Sequence, residues 1–295
     1  MRFEFIHAEK ARFPIAAMCR FLEVSRSGYY KWRKTRLGTP KKDELRLKLE
    51  VAAIHRESGG TYGSPRVYIE MLARGFDVGR HKVARLMREQ GLAGAVQSRF
   101  RRGGQSRDGG PFAPDLVRRN FNPSAPNRTW VSDITYIRTG QGWLFLAVVI
   151  DRFSRRVVGW ATANNMRSQL VVDALERALE TRDVRGLLIH HSDRGSQYTS
   201  SSFRERLHRA GIGWSMGSTG CCYDNAVAES FFATAKKELI YRHVWPTREA
   251  ARVALRRYID LFYNPQRRHS ALGYISPVEF EARYFQQQPG AALAA

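Results

Sequence analysis

Three strand-length segments follow one another within residues 129–163: TWVSDITYIRT, GWLFLAVVID and RRVVGWATA. They are rich in β-branched and aromatic residues, which suit a pleated and half-buried surface. Gly140 and Gln141 fit a tight hairpin loop between the first two, and a turn at residues 152–154 joins the third. A helix (SQLVVDALERALETR), a buried strand at 187–190, a second helix (SSFRERLHRAG) and the strand IGWSM come next. Three antiparallel strands followed by alternating helices and strands describe an α/β fold, a mixed sheet flanked by helices.

Acidic residues fall at telling places on this frame. RGLLIHH is a short apolar run with a basic edge, and Asp193 sits just past its end, at a strand's carboxyl edge, where open sheets carry their sites. Residues 224–240 read as a helix with Asp224 as N-cap, which places Asn225, Glu229, Phe232 and Lys236 at helical spacings. Alternation in TWVSDITYI puts Asp133 on the side of Val131 and Ile137. An ionised carboxylate on a half-buried face is costly unless a cation compensates it. Asp151, ahead of RFSRR, reads instead as a turn residue.

The segments WVSDITYI, HSDRGSQY and DNAVAESFFATAKKE resemble the three acidic motifs of bacterial insertion-sequence transposases with a retroviral-integrase core, of the downstream orfB type. YNPQRRHSALGYISPVEF, residues 263–280, is similar to that family's closing motif, and the likeness covers roughly residues 40–285. The resemblance implies a ribonuclease-H-like fold with Asp133, Asp193 and Glu229 as catalytic residues and metal ligands. The cofactor it implies is Mg²⁺, with Mn²⁺ as a substitute, two ions per site about 3.5–4 Å apart to stabilise attacking and leaving oxygens together. Mg²⁺ prefers oxygen ligands and retains waters, which suits three carboxylates with open positions. The implied activity is binding of a mobile element's terminal inverted repeats, 3′-end nicking and strand transfer. Lys236 is assigned by the same match to the DNA ends, Lys237 less directly because it rotates off that face, and Asn225 to substrate or to support of Glu229. At least a dimer on DNA is expected. A small upstream protein with a helix-turn-helix and leucine zipper, or a fusion to it, is a further expected partner.

Composition agrees with a polyanionic partner. Lys and Arg number 49 against 27 Asp and Glu, a formal net charge of +22. That balance alone suits a ribosomal or chromatin-type binder equally well. Cys19, Cys221 and Cys222 offer no metal-ligand spacing and read as free thiols of a reducing cytoplasm. No run approaches a membrane span, so the expected location is the bacterial cytoplasm, with the DNA of the nucleoid.

Five regions follow. Residues 1–40 form a helix-turn-helix-like segment, with a helix at 13–22 and Ser25 capping RSGYYKWRK. Residues 41–96 form a helical helix-turn-helix domain. KKDELRLKLEVAAIHRE has two apolar stripes, Leu45, Leu49 and Ala52 on one and Leu47, Val51 and Ile54 on the other. Ser64 and Pro65 open the next helix as N-cap and first-turn proline, and GRHKVARLMREQ follows with Arg80, His81, Lys82 and Arg85 as candidate groove contacts. Residues 97–128 are a basic linker rich in Gly, Pro and Ser, whose Arg99, Arg101, Arg102 and Arg107 suit phosphate. Residues 129–285 are the catalytic core, and 286–295 a disordered tail. Near the end, Arg267, Arg268 and His269 either touch DNA or cap a helix. Two alternatives stay open: a DNA-binding regulator without catalysis, and a ribonuclease-H-type nuclease.

Overall fold

The computed structural model describes residues 1–36, 42–95, 113–114, 116, 123–217 and 226–288. Three helices come first: α1 (Arg2–Glu9), α2 (Ile15–Phe21) and α3 (Arg26–Arg36). They close on Ile6, Met18, Cys19 and Tyr29. Ser25 caps α3 by accepting from the Gly28 amide at 3.0 Å. A Cβ at Gly28 would press on Ser25 Oγ and the Phe3 ring, so the glycine that weakens α3 is what lets α1 pack there. Sequence reading did not find α1.

A second helical unit comprises α4 (Lys42–Glu57), α5 (Ser64–Ala73) and α6 (Arg80–Glu89). Of the two stripes on α4, the structure buries Leu47, Val51 and Ile54 and leaves Leu45 and Leu49 exposed. The N-cap of α5 is Gly63, with Ser64 already inside the helix and Pro65 in the first turn.

The sheet holds β1 (Thr129–Thr139), β2 (Gly142–Asp151), β3 (Val157–Ala163), β4 (Ile189–Ser192) and β5 (Gly213–Met216) in the order β3-β2-β1-β4-β5. The first three strands are antiparallel, while β4 runs parallel to β1 and β5 parallel to β4. Gly140 and Gln141 form the two-residue hairpin loop that the sequence predicts. This mixed sheet, helices on both faces, is ribonuclease-H-like.

One face of the sheet packs Trp130, Ala147 and Val149 beneath α7 (Ser168–Thr181) and α8 (Ser201–Arg209). Contact there is close enough that a Cβ at Gly159 would collide with the Ala174 carbonyl oxygen of α7. The opposite face packs Val131, Ile137, Leu144, Leu146 and Val148 beneath α9 (Ala226–Glu238) and α10 (Arg248–Arg256). α10 passes after Arg256 into a π-helix over Arg257–Tyr263.

The core reaches beyond the expected boundaries. Asn127 donates its amide to Asp151 Oδ2 at 2.7 Å and its side-chain amide to the Asp183 carbonyl at 3.3 Å. At the other end α11 (Pro277–Gln287) runs two residues into the segment expected to be a disordered tail. It is held by Glu281, which takes both terminal nitrogens of Arg182 at 2.8 Å, Arg156 at 2.8 Å and the Ser154 hydroxyl at 2.7 Å.

The α4–α6 unit is joined to the core through residues 266–268. The Arg268 amide donates to the Tyr62 hydroxyl at 2.8 Å, and Arg66 Nε donates to the Arg268 carbonyl at 3.0 Å. The Arg268 guanidinium pairs with Glu70 at 2.7 Å.

Candidate active site

β1 brings Asp133 up on the face that α9 covers, in register with Val148. Its Oδ1 accepts from the Ile134 amide at 2.7 Å. β4 ends at Ser192, and Asp193 lies immediately beyond it with Oδ1 accepting from the Gly195 amide at 3.0 Å. Glu229 is exposed in the first turn of α9, while Val227, Ala228, Phe231 and Phe232 anchor that turn in the core. Three separate elements thus present three carboxylates toward one region.

Their fields overlap. The Asp133 carboxyl is raised to about 7, first by burial and then by the charge of Asp193; the Ile134 amide opposes this, Glu229 adds to it and Lys236 opposes it. Burial also raises Asp193, against the pull of the Gly195 amide. Lys236 is half-buried, which lowers its ammonium, with Asp133 acting the other way. The lysine assigned to the site by the family resemblance therefore lies within the field of the first acid.

The donor set is entirely carboxylate oxygen, and its members repel one another, which suits a hard divalent cation. Among the described residues no three His, Cys, Asp or Glu side chains form a group able to hold an ion as they stand. Asp133 and Asp193 each accept from a backbone amide, whereas Glu229 is exposed at the start of α9.

The histidines lie behind the acids. His190 is buried, with Nε2 2.7 Å from Ser132 Oγ, and burial beside His191 lowers it to about 3. His191 Nδ1 is 2.9 Å from Ser215 Oγ. Both brace the end of β4 against neighbouring strands. Asp151 is the turn residue expected of it, accepting from the Ser154 amide at 2.9 Å and hydroxyl at 3.0 Å.

Two neighbours escaped sequence reading. Tyr198 is buried with its ring against His190 and Phe203, and its phenol is raised by burial and then by the charges of Asp133 and Asp193. Its place in the HSDRGSQY segment was the available signal. Glu238, at the end of α9, is buried and grips Arg267 through Nε and Nη2, both at 2.7 Å. Arg267 is thus committed to that pair.

The predicted DNA contacts are scattered. Arg80, His81, Lys82 and Arg85 are exposed on α6, and Arg85 is shared between Glu89 at 2.6 Å and Glu44 at 3.2 Å. Lys237 is half-buried beside Lys236. Asn225, Arg99, Arg101, Arg102, Arg107, Cys221 and Cys222 lie outside the described residues. Among the described residues no helix is long and apolar enough to cross a membrane.

Two integrase core domain models match the chain, at residues 123–222 and 210–277, and an HTH-like domain model matches residues 41–100. The transposase InsF of insertion sequence IS3A from Escherichia coli (strain K12) is 41% identical over 283 residues, covering 95% of this chain and 98% of the relative. An uncharacterized 31 kDa protein of insertion element IS600 from Shigella sonnei is 41% identical over 269 residues, covering 91% and 99%. Among solved structures, the HTLV-2 integrase catalytic core domain in complex with magnesium, in its trimeric form, aligns with 54% of this chain and 98% of its own at 19% identity and TM-score 0.42. The chain belongs to the insertion-sequence transposases, DDE polynucleotidyl transferases with an integrase core and an HTH-like domain ahead of it.

Proposed function

We propose that this transposase binds the terminal inverted repeats of its element, nicks the 3′ ends and transfers the freed strands into target DNA, with Asp133, Asp193 and Glu229 as its catalytic ligands. The observation that carries the reading is the parallel register of β1 and β4, Val131 opposite His191, which brings Asp133 and Asp193 to one edge beside the α9 helix that bears Glu229. Two Mg²⁺ ions, when bound, supply the positive charge that a phosphodiester under attack requires.

The remaining steps belong to the chain. Asp133 and Asp193 are held by backbone amides at fixed positions, so the scissile phosphate meets a preformed edge. Lys236, with Lys237 beside it, faces that edge and neutralises a phosphate of the incoming end. Arg80, His81 and Lys82, at the exposed start of α6, enter a groove of the DNA, and Arg85 joins them when its carboxylate partners release it. Arg99, Arg101, Arg102 and Asn225 add contacts to backbone and substrate. Joining two ends calls for at least two copies on DNA, with the upstream zipper protein, separate or fused, as a further partner.

The test is Mg²⁺-dependent cleavage and strand transfer on labelled DNA carrying the element's own ends, comparing wild type with Asp193→Asn and Glu229→Gln. The reading expects cutting by wild type, and DNA binding without cutting by both variants. Binding without cutting by wild type, even with the upstream protein added, would instead make the chain a regulator.

A further inference from the structure

The β1–β2 hairpin outruns the sheet that carries it. β1 pairs with β4 only over residues 129–131, and β2 leaves β3 at Phe145, yet β1 and β2 stay paired out to Thr139 and Gly142. Among the described residues β1 has no strand on its outer edge beyond Val131 and β2 has none beyond Phe145, so past Tyr136 the hairpin is an arm free on both edges. On one face this arm is braced: the Gly140 amide donates to the Trp245 carbonyl at 2.8 Å. Arg248 donates its amide to Gln141 Oε1 at 3.1 Å and its Nε to the Trp143 carbonyl at 3.0 Å.

The other face is left in solvent. It carries Tyr136, 60% exposed, and Trp143, 48% exposed, with ring centroids 5.0 Å apart in an edge-to-face pair. Arg138 stands opposite Trp143 in the register, exposed and without an ion pair among the described residues. From Ile134 to Phe145 the arm has this arginine and no acid. Two large rings held in water on a braced backbone mark a surface that something covers. Arg138, beside the ring pair and opposite Trp143, favours an anionic partner, and the rings favour a flat one.

We infer that the arm is a stacking platform for unpaired DNA bases beside the acid site, Tyr136 and Trp143 taking base faces and Arg138 the phosphate between them. This rests on the reading of the chain as a DNA-end-processing enzyme. A base inside a duplex hides both its faces and a terminal pair offers only one, whereas unpaired bases at a frayed or single-stranded end can separate to meet both rings. Position supports it: Tyr136 is three residues along β1 from Asp133, about 10 Å at strand rise. The two side chains lie on opposite faces of β1, and past Ser192 the edge between them carries no strand among the described residues. A strand leaving the acids can therefore turn over that edge onto the rings.

The experiment measures binding of labelled oligonucleotides carrying the element's end, without divalent cation, as a blunt duplex and with a short single-stranded overhang. Wild type, Tyr136→Ala/Trp143→Ala and Tyr136→Phe/Trp143→Phe are compared. The inference expects wild type to favour the overhang, the alanine pair to lose about tenfold or more on the overhang DNA alone, and the phenylalanine pair to retain most of the preference. An alanine pair that binds both DNAs like wild type, or loses both equally, overturns the platform. A change in sedimentation of the DNA-free alanine pair, with overhang preference intact, would assign the rings to a contact between copies and overturn it as well. Failure of wild type to bind either DNA would instead sink the parent reading.

Discussion

Glu238 and Arg267 form a two-pronged ion pair between the end of the helix that carries Glu229 and the segment after the π-helix, with both side chains buried. Tyr258 adds its hydroxyl to Glu238 at 2.8 Å. Removing one partner strands the other charge in the interior. Glu238→Ala is expected to cost about 3–5 kcal/mol, read as a lower urea midpoint at unchanged slope. A loss of less than about 1 kcal/mol would mean that Arg267 finds water or another acid.

Asp133 and Asp193, both raised by burial, are costly to the fold without metal. Asp133→Asn is expected to raise the metal-free melting temperature while abolishing cleavage, a stability–activity exchange common at strained sites. Added Mg²⁺ should raise the wild-type melting temperature and leave the variant's nearly unmoved. Calorimetry with and without Mg²⁺ checks both; a variant that melts lower would show that Asp133 supports the fold.

Buried histidines set the acid limit. Burial beside His191 lowers His190 to about 3, and burial with Arg267, Arg66 and Arg155 lowers His269 to about 2. Both titrate near 6.5 when unfolded. Between those values the unfolded chain binds more protons, so stability is intact above about 6.5 and falls as pH drops, by about 2 kcal/mol for each histidine at about pH 5. Urea midpoints across this range test it, and His190→Gln should flatten the curve. A wild-type curve that is flat down to about pH 4 would refute the assignment.

Gly159 is where α7 touches the sheet. Gly159→Ala forces the strand and helix apart and is expected to cost about 1–3 kcal/mol. Thermal denaturation of the variant reads this directly, and a neutral result would mean that α7 shifts freely.

Arg268 and Glu70 tie the α4–α6 unit to the core with the Tyr62 contact beside them. Arg268→Ala is expected to split the single unfolding transition into two, seen by calorimetry. One undivided transition would show that the tie is dispensable.

Period carried most of what could be read in advance. The alternation in TWVSDITYI gave the face of Asp133, because side chains along a strand alternate between its two faces, and Gly140 with Gln141 gave the hairpin. Spacing put Glu229 and Lys236 along one helix, and both lie in the field of Asp133. Elsewhere local pattern was silent. In α4 two apolar stripes competed, and only the positions of α5 and α6 decide that Leu47 wins over Leu49. α1 buries just Ile6, too little for a periodic signal. Arg267 looked like a surface cation because nothing near it in sequence shows that Glu238 waits beneath. Arg85 likewise gave no sign of Glu44, forty-one positions away.

The tie between Arg268 and Glu70 also has a metric meaning. With α5 fastened to the core and α6 packed on α5, the exposed start of α6 and the acid edge move as one body. On the proposed function, with α6 in the DNA groove and the acids at the scissile bond, the enzyme then behaves as a calliper of fixed opening, and the number of base pairs between the two points is set by the protein. Inserting half a helical turn of DNA between those points would turn the wrong strand toward Asp133, however well each half of the site is bound.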